Sequence, residues 1–266
     1  MSTPAFLALL ASLTAAGVTP EHARIPTPSG VTLDAALLRP VGPVKAPAVV
    51  ALHGCGGPYA ARDGGWAVEL ARLGHVVLLP DSFGSRGLGS QCRVKERTVR
   101  PAQERRDDAI AAGTWLMAQP GVPAGGMVLL GWSNGGQTTL ATARQADDLP
   151  RGLFLRFVAF YPGCARINRD TTWRPAGPLL ILVGEADDWT PAEPCRRLAG
   201  RFPEALTLIT YPGAYHDFDA PGRRLRLLTG LATTRDGTAH AGTDPAARAD
   251  ALARVPGFVA GSGDAR

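Results

Sequence analysis

The residue types best suited to chemistry gather around one serine. Gly131-Trp132-Ser133-Asn134-Gly135 is the only Gly-x-Ser-x-Gly pentapeptide in the chain. It directly follows the apolar run Met-Val-Leu-Leu at 127–130 and precedes a helical pattern, the layout of a nucleophile elbow. The glycines have a steric reason, because the turn is too tight for flanking side chains and Ser133 must take a strained backbone conformation. A serine hydroxyl attacks poorly until a base removes its proton. Of the five histidines, only His216 and His240 follow Ser133. His216 lies in Tyr-Pro-Gly-Ala-Tyr-His-Asp-Phe at 211–218, just past the apolar run 206–211, where a general base belongs. His240 lies in the polar, glycine-containing stretch 236–242, which predicts a solvated loop histidine.

The acid should leave the end of the preceding strand. Residues 179–184 run into Glu185-Ala186-Asp187-Asp188-Trp189-Thr190-Pro191, with three carboxylates at one strand end. The pattern Gly-x-x-Asp-x-x-Thr-Pro selects Asp187 to orient the imidazole and stabilise the imidazolium. Asp188 is then expected to serve the turn or cap the helix starting at Pro191. Negative charge developing on an attacked carbonyl needs two backbone N–H groups. One should come from Asn134, after the nucleophile. The other should come from His53-Gly54-Cys55-Gly56-Gly57, with the Cys55 N–H preferred and that of Gly54 next. His53 is read as shaping this loop. Trp132, Tyr59 and Trp189 adjoin these positions and are expected to form an aromatic substrate subsite. No His/Cys/carboxylate group has metal-ligand spacing, so neither metal nor cofactor is expected.

These groups must be positioned by alternating elements. Strands are predicted over 31–38, 48–52, 75–80, 127–131, 157–161, 179–184 and 206–211, mostly as continuous apolar runs suited to a sheet covered on both faces. Helices are predicted over 66–73, 101–119, 191–202 and 245–258, with another after Ser133. Thr243 or Asp244 should cap the last. The alternation gives a mostly parallel, doubly wound α/β sheet whose ligand crevice lies beyond the C-terminal strand ends. No internal repeat interrupts it.

A length of 266 residues suits one large domain, and no apolar run approaches the ~18 residues a membrane span needs. The net charge is +5. Lys45 and Lys95 are the only lysines, and the one dense basic cluster, Arg223-Arg224-Leu225-Arg226, lacks aromatic interleaving, which argues against nucleic acid. The apolar run 5–16 has small residues at Thr14 and Ala16 but no basic residue before it. Residues 1–23 are therefore expected to be a signal peptide or an N-terminal extension, and 24–266 one catalytic domain. Cys55, Cys92, Cys164 and Cys195 all sit in predicted loops or at element ends and lack Cys-x-x-Cys spacing, which favours disulfides in a periplasmic or secreted protein over a cytoplasmic one. Neighbouring parallel strands would bring Cys164 and Cys195 to the same sheet edge. Cys55 and Cys92, in loops after consecutive strands, form the second expected pair.

The set His-Gly-Cys-Gly-Gly, Pro-Asp-Ser-Phe-Gly-Ser-Arg-Gly, Gly-Trp-Ser-Asn-Gly-Gly, Tyr-Pro-Gly-Cys, Gly-Glu-Ala-Asp-Asp-Trp-Thr-Pro and Gly-Ala-Tyr-His-Asp-Phe-Asp resembles the dienelactone hydrolase family of the α/β hydrolases. The resemblance runs from about Arg24 to the last helix. It implies the α/β-hydrolase fold, with Ser133 as nucleophile, Asp187 as acid and His216 as base. The namesake enzymes carry a cysteine where this chain has Ser133, and an acidic residue where it has His53, which points to a general carboxylesterase. The partner is then a small or polymeric ester, with an aromatic polyester as the alternative and a non-catalytic binding module as the contrasting class. The segment 163–178 is polar and has no apolar helical face to cover a deep tunnel, so an open cleft for short acyl groups is expected.

Overall fold

Continuous burial of the central strands on both faces dictates the architecture. The computed structural model describes residues 3–15, 19–45 and 47–261. The elements follow as helix α1 (Pro4–Ala15) and strands β1 (Glu21–Pro26), β2 (Thr32–Leu38) and β3 (Ala48–Leu52). Helix α2 (Gly65–Arg72), β4 (Val77–Asp81), α3 (Glu104–Met117) and β5 (Met127–Trp132) come next. Then come α4 (Asn134–Thr142), β6 (Phe154–Phe160), α5 (Ala165–Arg169), β7 (Leu179–Gly184), α6 (Glu193–Arg201) and β8 (Leu206–Tyr211). The chain ends with β9 (Arg226–Leu228), β10 (Ala239–Ala241) and α7 (Pro245–Ala260). In β3, Val49 and Ala51 join the core beneath α1, α2 and α7, while Ala48, Val50 and Leu52 join the core beneath α3, α4 and α6. Such a strand has no wet face, which is why it reads as an unbroken apolar run.

The main sheet has the order β1-β2-β4-β3-β5-β6-β7-β8. From β4 to β8 every neighbour is parallel, whereas β2 joins β4, and β1 joins β2, in antiparallel fashion. This is the α/β-hydrolase fold. Strand β1 was not predicted: Glu-His-Ala-Arg-Ile-Pro buries only Ala23 and Ile25 and, as an edge strand, keeps a polar outer row. Helix α3 starts at Glu104 rather than Pro101, because the Arg100 N–H bonds the Glu104 carboxylate at 2.9 Å and residues 101–103 remain a turn. At α7 the Asp244 carboxylate accepts the Ala247 N–H, so Asp244 is the cap. The apolar N-terminal run is α1, whose Phe6, Leu9 and Leu13 are buried in the core beside α2. No helix of the described residues is long and apolar enough to cross a membrane.

Candidate active site

All the predicted reactive groups leave the C-terminal ends of parallel strands. Ser133 follows β5, Asp187 follows β7, His216 follows β8, and the glycine-rich loop 53–57 follows β3. The elbow is strained as its sequence requires: Ser133 has φ 54° and ψ −111°. A Cβ on Gly135 would lie 2.1 Å from the Leu52 carbonyl oxygen, and one on Gly131 would lie 2.4 Å from the Gly135 backbone. No side chain fits at either position.

Ser133, His216 and Asp187 form one continuous chain of hydrogen bonds. His216 Nδ1 lies 2.8 Å from Asp187 Oδ2, and His216 Nε2 lies 2.9 Å from Ser133 Oγ. A carboxylate can only accept, so Nδ1–H donates to Asp187 and Nε2 is left to accept the serine proton. Asp187 is held in turn by the amides of Trp189 and Thr190 on Oδ1, at 2.9 and 2.8 Å, and by Thr190 Oγ1 on Oδ2, at 2.9 Å. Thr190 belongs to the motif that selected Asp187, yet its hydroxyl was not assigned a role. Burial works to lower the His216 pKa, but the charge and hydrogen bond of Asp187, together with the charge of Asp217, outweigh it. The imidazole therefore titrates above its ordinary value.

The loop after β3 faces the serine. Among the described residues, the Cys55 N–H donates to no protein acceptor, and Gly54 and Cys55 line the cleft beside Ser133. Asn134 opens α4, so its N–H is one of the four first-turn amides that a helix leaves unpaired. His53 is a loop-shaping residue. Its Nε2 accepts the Ser82 N–H at 3.1 Å, and its Nδ1 lies 2.8 Å from the Gly54 carbonyl. Burial, then the nearby Arg105 charge, lowers its pKa well below the ordinary value, so the ring is neutral.

Three expectations need correction. Trp132 does not line the cleft; it is fully buried and its indole N–H donates to Asp219 at 2.9 Å. Asp219 also accepts from Trp66 at 2.8 Å and from the Tyr161 hydroxyl at 2.6 Å, so Trp132 belongs to a buried polar cluster. Tyr59 and Trp189 do line the cleft, and the Trp189 ring lies 4.6 Å from that of His216. Asp188 does not cap α6. It accepts both the N–H and the Nδ1–H of His240, at 2.8 and 2.7 Å, and His240 sits in the short strand β10 rather than an irregular loop.

One wall of the cleft is built from residues whose sequence pattern does not announce it. Residues 221–231, between His216 and β10, contribute Arg223, Arg224, Arg226, Leu228 and Leu231, and Arg93 faces the same space. The cluster 223–226 was the available signal, but its neighbours gave no pattern that would place it at the site. The cleft is about 560 Å³, and segment 163–178 contributes nothing to its lining. Both predicted cysteine pairs are disulfides, Cys55–Cys92 beside the serine and Cys164–Cys195 between the end of β6 and α6. Among the described residues no cluster of His, Cys, Asp and Glu could hold a metal ion.

The sequence model of the dienelactone hydrolase family matches residues 33–261. This chain belongs to the dienelactone hydrolase family. Membership implies a hydrolase. Among solved structures, a dienelactone hydrolase-like promiscuous phosphotriesterase from metagenomic libraries superposes with a TM-score of 0.70 at 19% identity, over 92% of this chain and 98% of that one. A candidate dienelactone hydrolase from Klebsiella pneumoniae gives 0.69 at 18% identity, over 91% and 98%. A dipeptidyl peptidase 4 from Porphyromonas gingivalis gives 0.56 at 22% identity over 76% of this chain, which spans only 33% of that longer protein. At these identities the superpositions establish the shared fold.

Proposed function

We propose that this family member is a carboxylic ester hydrolase working through an acyl-enzyme on Ser133. The observation that carries the reading is the unbroken relay Asp187–His216–Ser133 opening into a cleft that Gly54 and Cys55 also line, with Asn134 next in the chain at the first turn of α4. Ser133 Oγ attacks the ester carbonyl carbon while His216 Nε2 takes its proton. The resulting oxyanion accepts from the Cys55 and Asn134 N–H groups. His216 then gives the proton to the departing alcohol, and a water activated by the same nitrogen releases the acid.

Cleft shape and charge support short esters that carry an anionic group. An open cleft leaves a long acyl chain in water, where each unburied methylene forfeits about 0.8 kcal/mol. Arg224 and Arg226 have no ion-pair partner among the described residues and face the cleft beside Arg93 and Arg223. Tyr59 and Trp189 line the cleft where an aryl group could rest; with Trp132 turned into the core, an aromatic polyester has two cleft aromatics to meet rather than three. The two disulfides support a periplasmic or secreted location.

The test is a panel of aryl esters from acetate to dodecanoate, with the aryl hemisuccinate set against the neutral butyrate. Turnover should peak between acetate and butyrate. The hemisuccinate should have a kcat/KM about 10-fold higher at low salt, an advantage lost in Arg224→Glu/Arg226→Glu. No turnover across the panel overturns the esterase reading. A maximum at dodecanoate overturns the open cleft, and equal rates for the charged and neutral esters overturn the anionic preference.

A further inference from the structure

Arg105 is fully buried in the first turn of α3, and its hydrogen bonds go to the two segments that bear the cleft amides. Its Nη1 donates to Asn134 Oδ1 at 2.6 Å, and its Nη2 donates to the His53 carbonyl at 2.9 Å. The guanidinium lies 4.9 Å from the centre of the Phe83 ring. Among the described residues no carboxylate forms an ion pair with it. Asp108, one helical turn away, is engaged by Arg86 through two bonds of 2.8 Å. Burial lowers its pKa to about 10 against the opposing fields of Asp108, Asp81 and Asp63, so it remains charged at neutral pH.

A buried guanidinium bonded only to neutral acceptors is a costly arrangement for the fold. The sheet explains what it does. Strands β3 and β5 are parallel neighbours whose ladder ends at Leu52 and Gly131. Past that pair no strand hydrogen bond fixes the distance between the loop at Cys55 and the turn at Asn134. Arg105 spans the gap, since one arm of its planar fork holds the peptide that precedes Gly54 and the other holds Asn134. A planar fork can satisfy two acceptors on separate segments at once, which a point-charge ammonium cannot do as well.

We propose that Arg105 is a positioning residue of the oxyanion hole, holding the amides of Cys55 and Asn134 at their working separation and placing a positive charge behind them. This rests on the esterase reading, and the experiment separates the two. Arg105→Met should lower kcat on an aryl butyrate about 30-fold while KM stays within about threefold. The decisive readouts do not depend on how much of the sample is folded. The ratio of kcat/KM for an ester to that for the matching thionoester, whose sulfur is a poor acceptor, should fall about 10-fold. The Ki of an arylboronic acid, which forms a tetrahedral adduct on Ser133, should rise in step with the loss in kcat. If the methionine variant does not fold, the same measurements on Arg105→Lys should show an intermediate effect. A folded variant with an unchanged ester-to-thionoester ratio and unchanged boronate Ki overturns the role of Arg105 alone. A wild-type protein that hydrolyses no ester overturns the esterase reading and this inference with it.

Discussion

Two carboxylate–imidazole pairs stand side by side in this molecule, on consecutive aspartates, and only one is placed to act on a serine. Asp187 and His216 meet at 2.8 Å, Asp188 and His240 at 2.7 Å, so contact distance does not separate them. Burial does. The first pair is 0% and 1% exposed at its side chains and the second 43% and 40%. The second difference lies at the far nitrogen. His216 Nε2 reaches Ser133 Oγ, whereas His240 Nε2 has no protein hydrogen-bond partner among the described residues. A short Asp–His bond identifies a reactive dyad only when solvent is kept away and the other nitrogen has a proton to take. In water the same bond mainly holds a loop, here tying the acid turn to β10.

The most severe test of this contrast exchanges the histidines. His216→Ala should lower ester turnover by about four to six orders of magnitude, as should Ser133→Ala, whereas His240→Ala should change kcat less than about threefold. Loss of activity in His240→Ala would reverse the assignment of the two pairs. Next in size are the aspartates. Asp187→Asn should cost about 10⁴ in kcat, because the amide no longer holds the imidazole in the tautomer that accepts the serine proton. Asp188→Asn should cost little, and equal losses would leave the pairs undistinguished.

A finer test uses pH. His216 must be neutral to act as base, and its pKa is raised, so kcat/KM should fall with acid around a midpoint above the ordinary imidazole value of about 6.5. Asp187→Asn removes the charge and the bond that raise it while leaving the burial that lowers it, so residual activity should extend to lower pH. Asp188→Asn should leave the midpoint in place. A midpoint that moves with Asp188 instead would show that the exposed pair is coupled to catalysis. The smallest effect is on stability: a carboxylate–imidazole contact this exposed contributes less than about 1 kcal/mol, so the unfolding free energy of Asp188→Asn in denaturant should stay within that amount of the wild type.

How much of this was legible in sequence depended on where physics leaves a local trace. The elbow could be read because neighbouring backbone leaves no room for a Cβ at Gly131 or Gly135, and the buried strands because both faces demand apolar residues. Asp187 could be separated from Asp188 only by motif, since nothing local says which side chain turns inward. Trp132 shows the limit of adjacency. Trp132, the last residue of β5, packs into the core, whereas Ser133 lies past the strand in the elbow, where its left-handed backbone puts it at the cleft. The arginine wall was illegible for a different reason. It rests on three-residue strands and turns whose placement is set by distant contacts, among them Arg93 Nε–H to the Thr229 carbonyl and the Arg223 N–H to Thr243 Oγ1.

The two disulfides differ in their exposure to reductant. Opening a bridge requires a thiolate to approach one sulfur in line. Cys164 and Cys195 are 1% and 0% exposed, sealed under α6 and the end of β6. Cys92 is half-buried on the rim of the cleft, and its partner Cys55 lines the same cleft as Ser133. A small thiol entering by the substrate's route therefore meets the Cys55–Cys92 bridge first. The damage it does begins where turnover occurs, with the Cys164–Cys195 staple and the sheet behind it still closed.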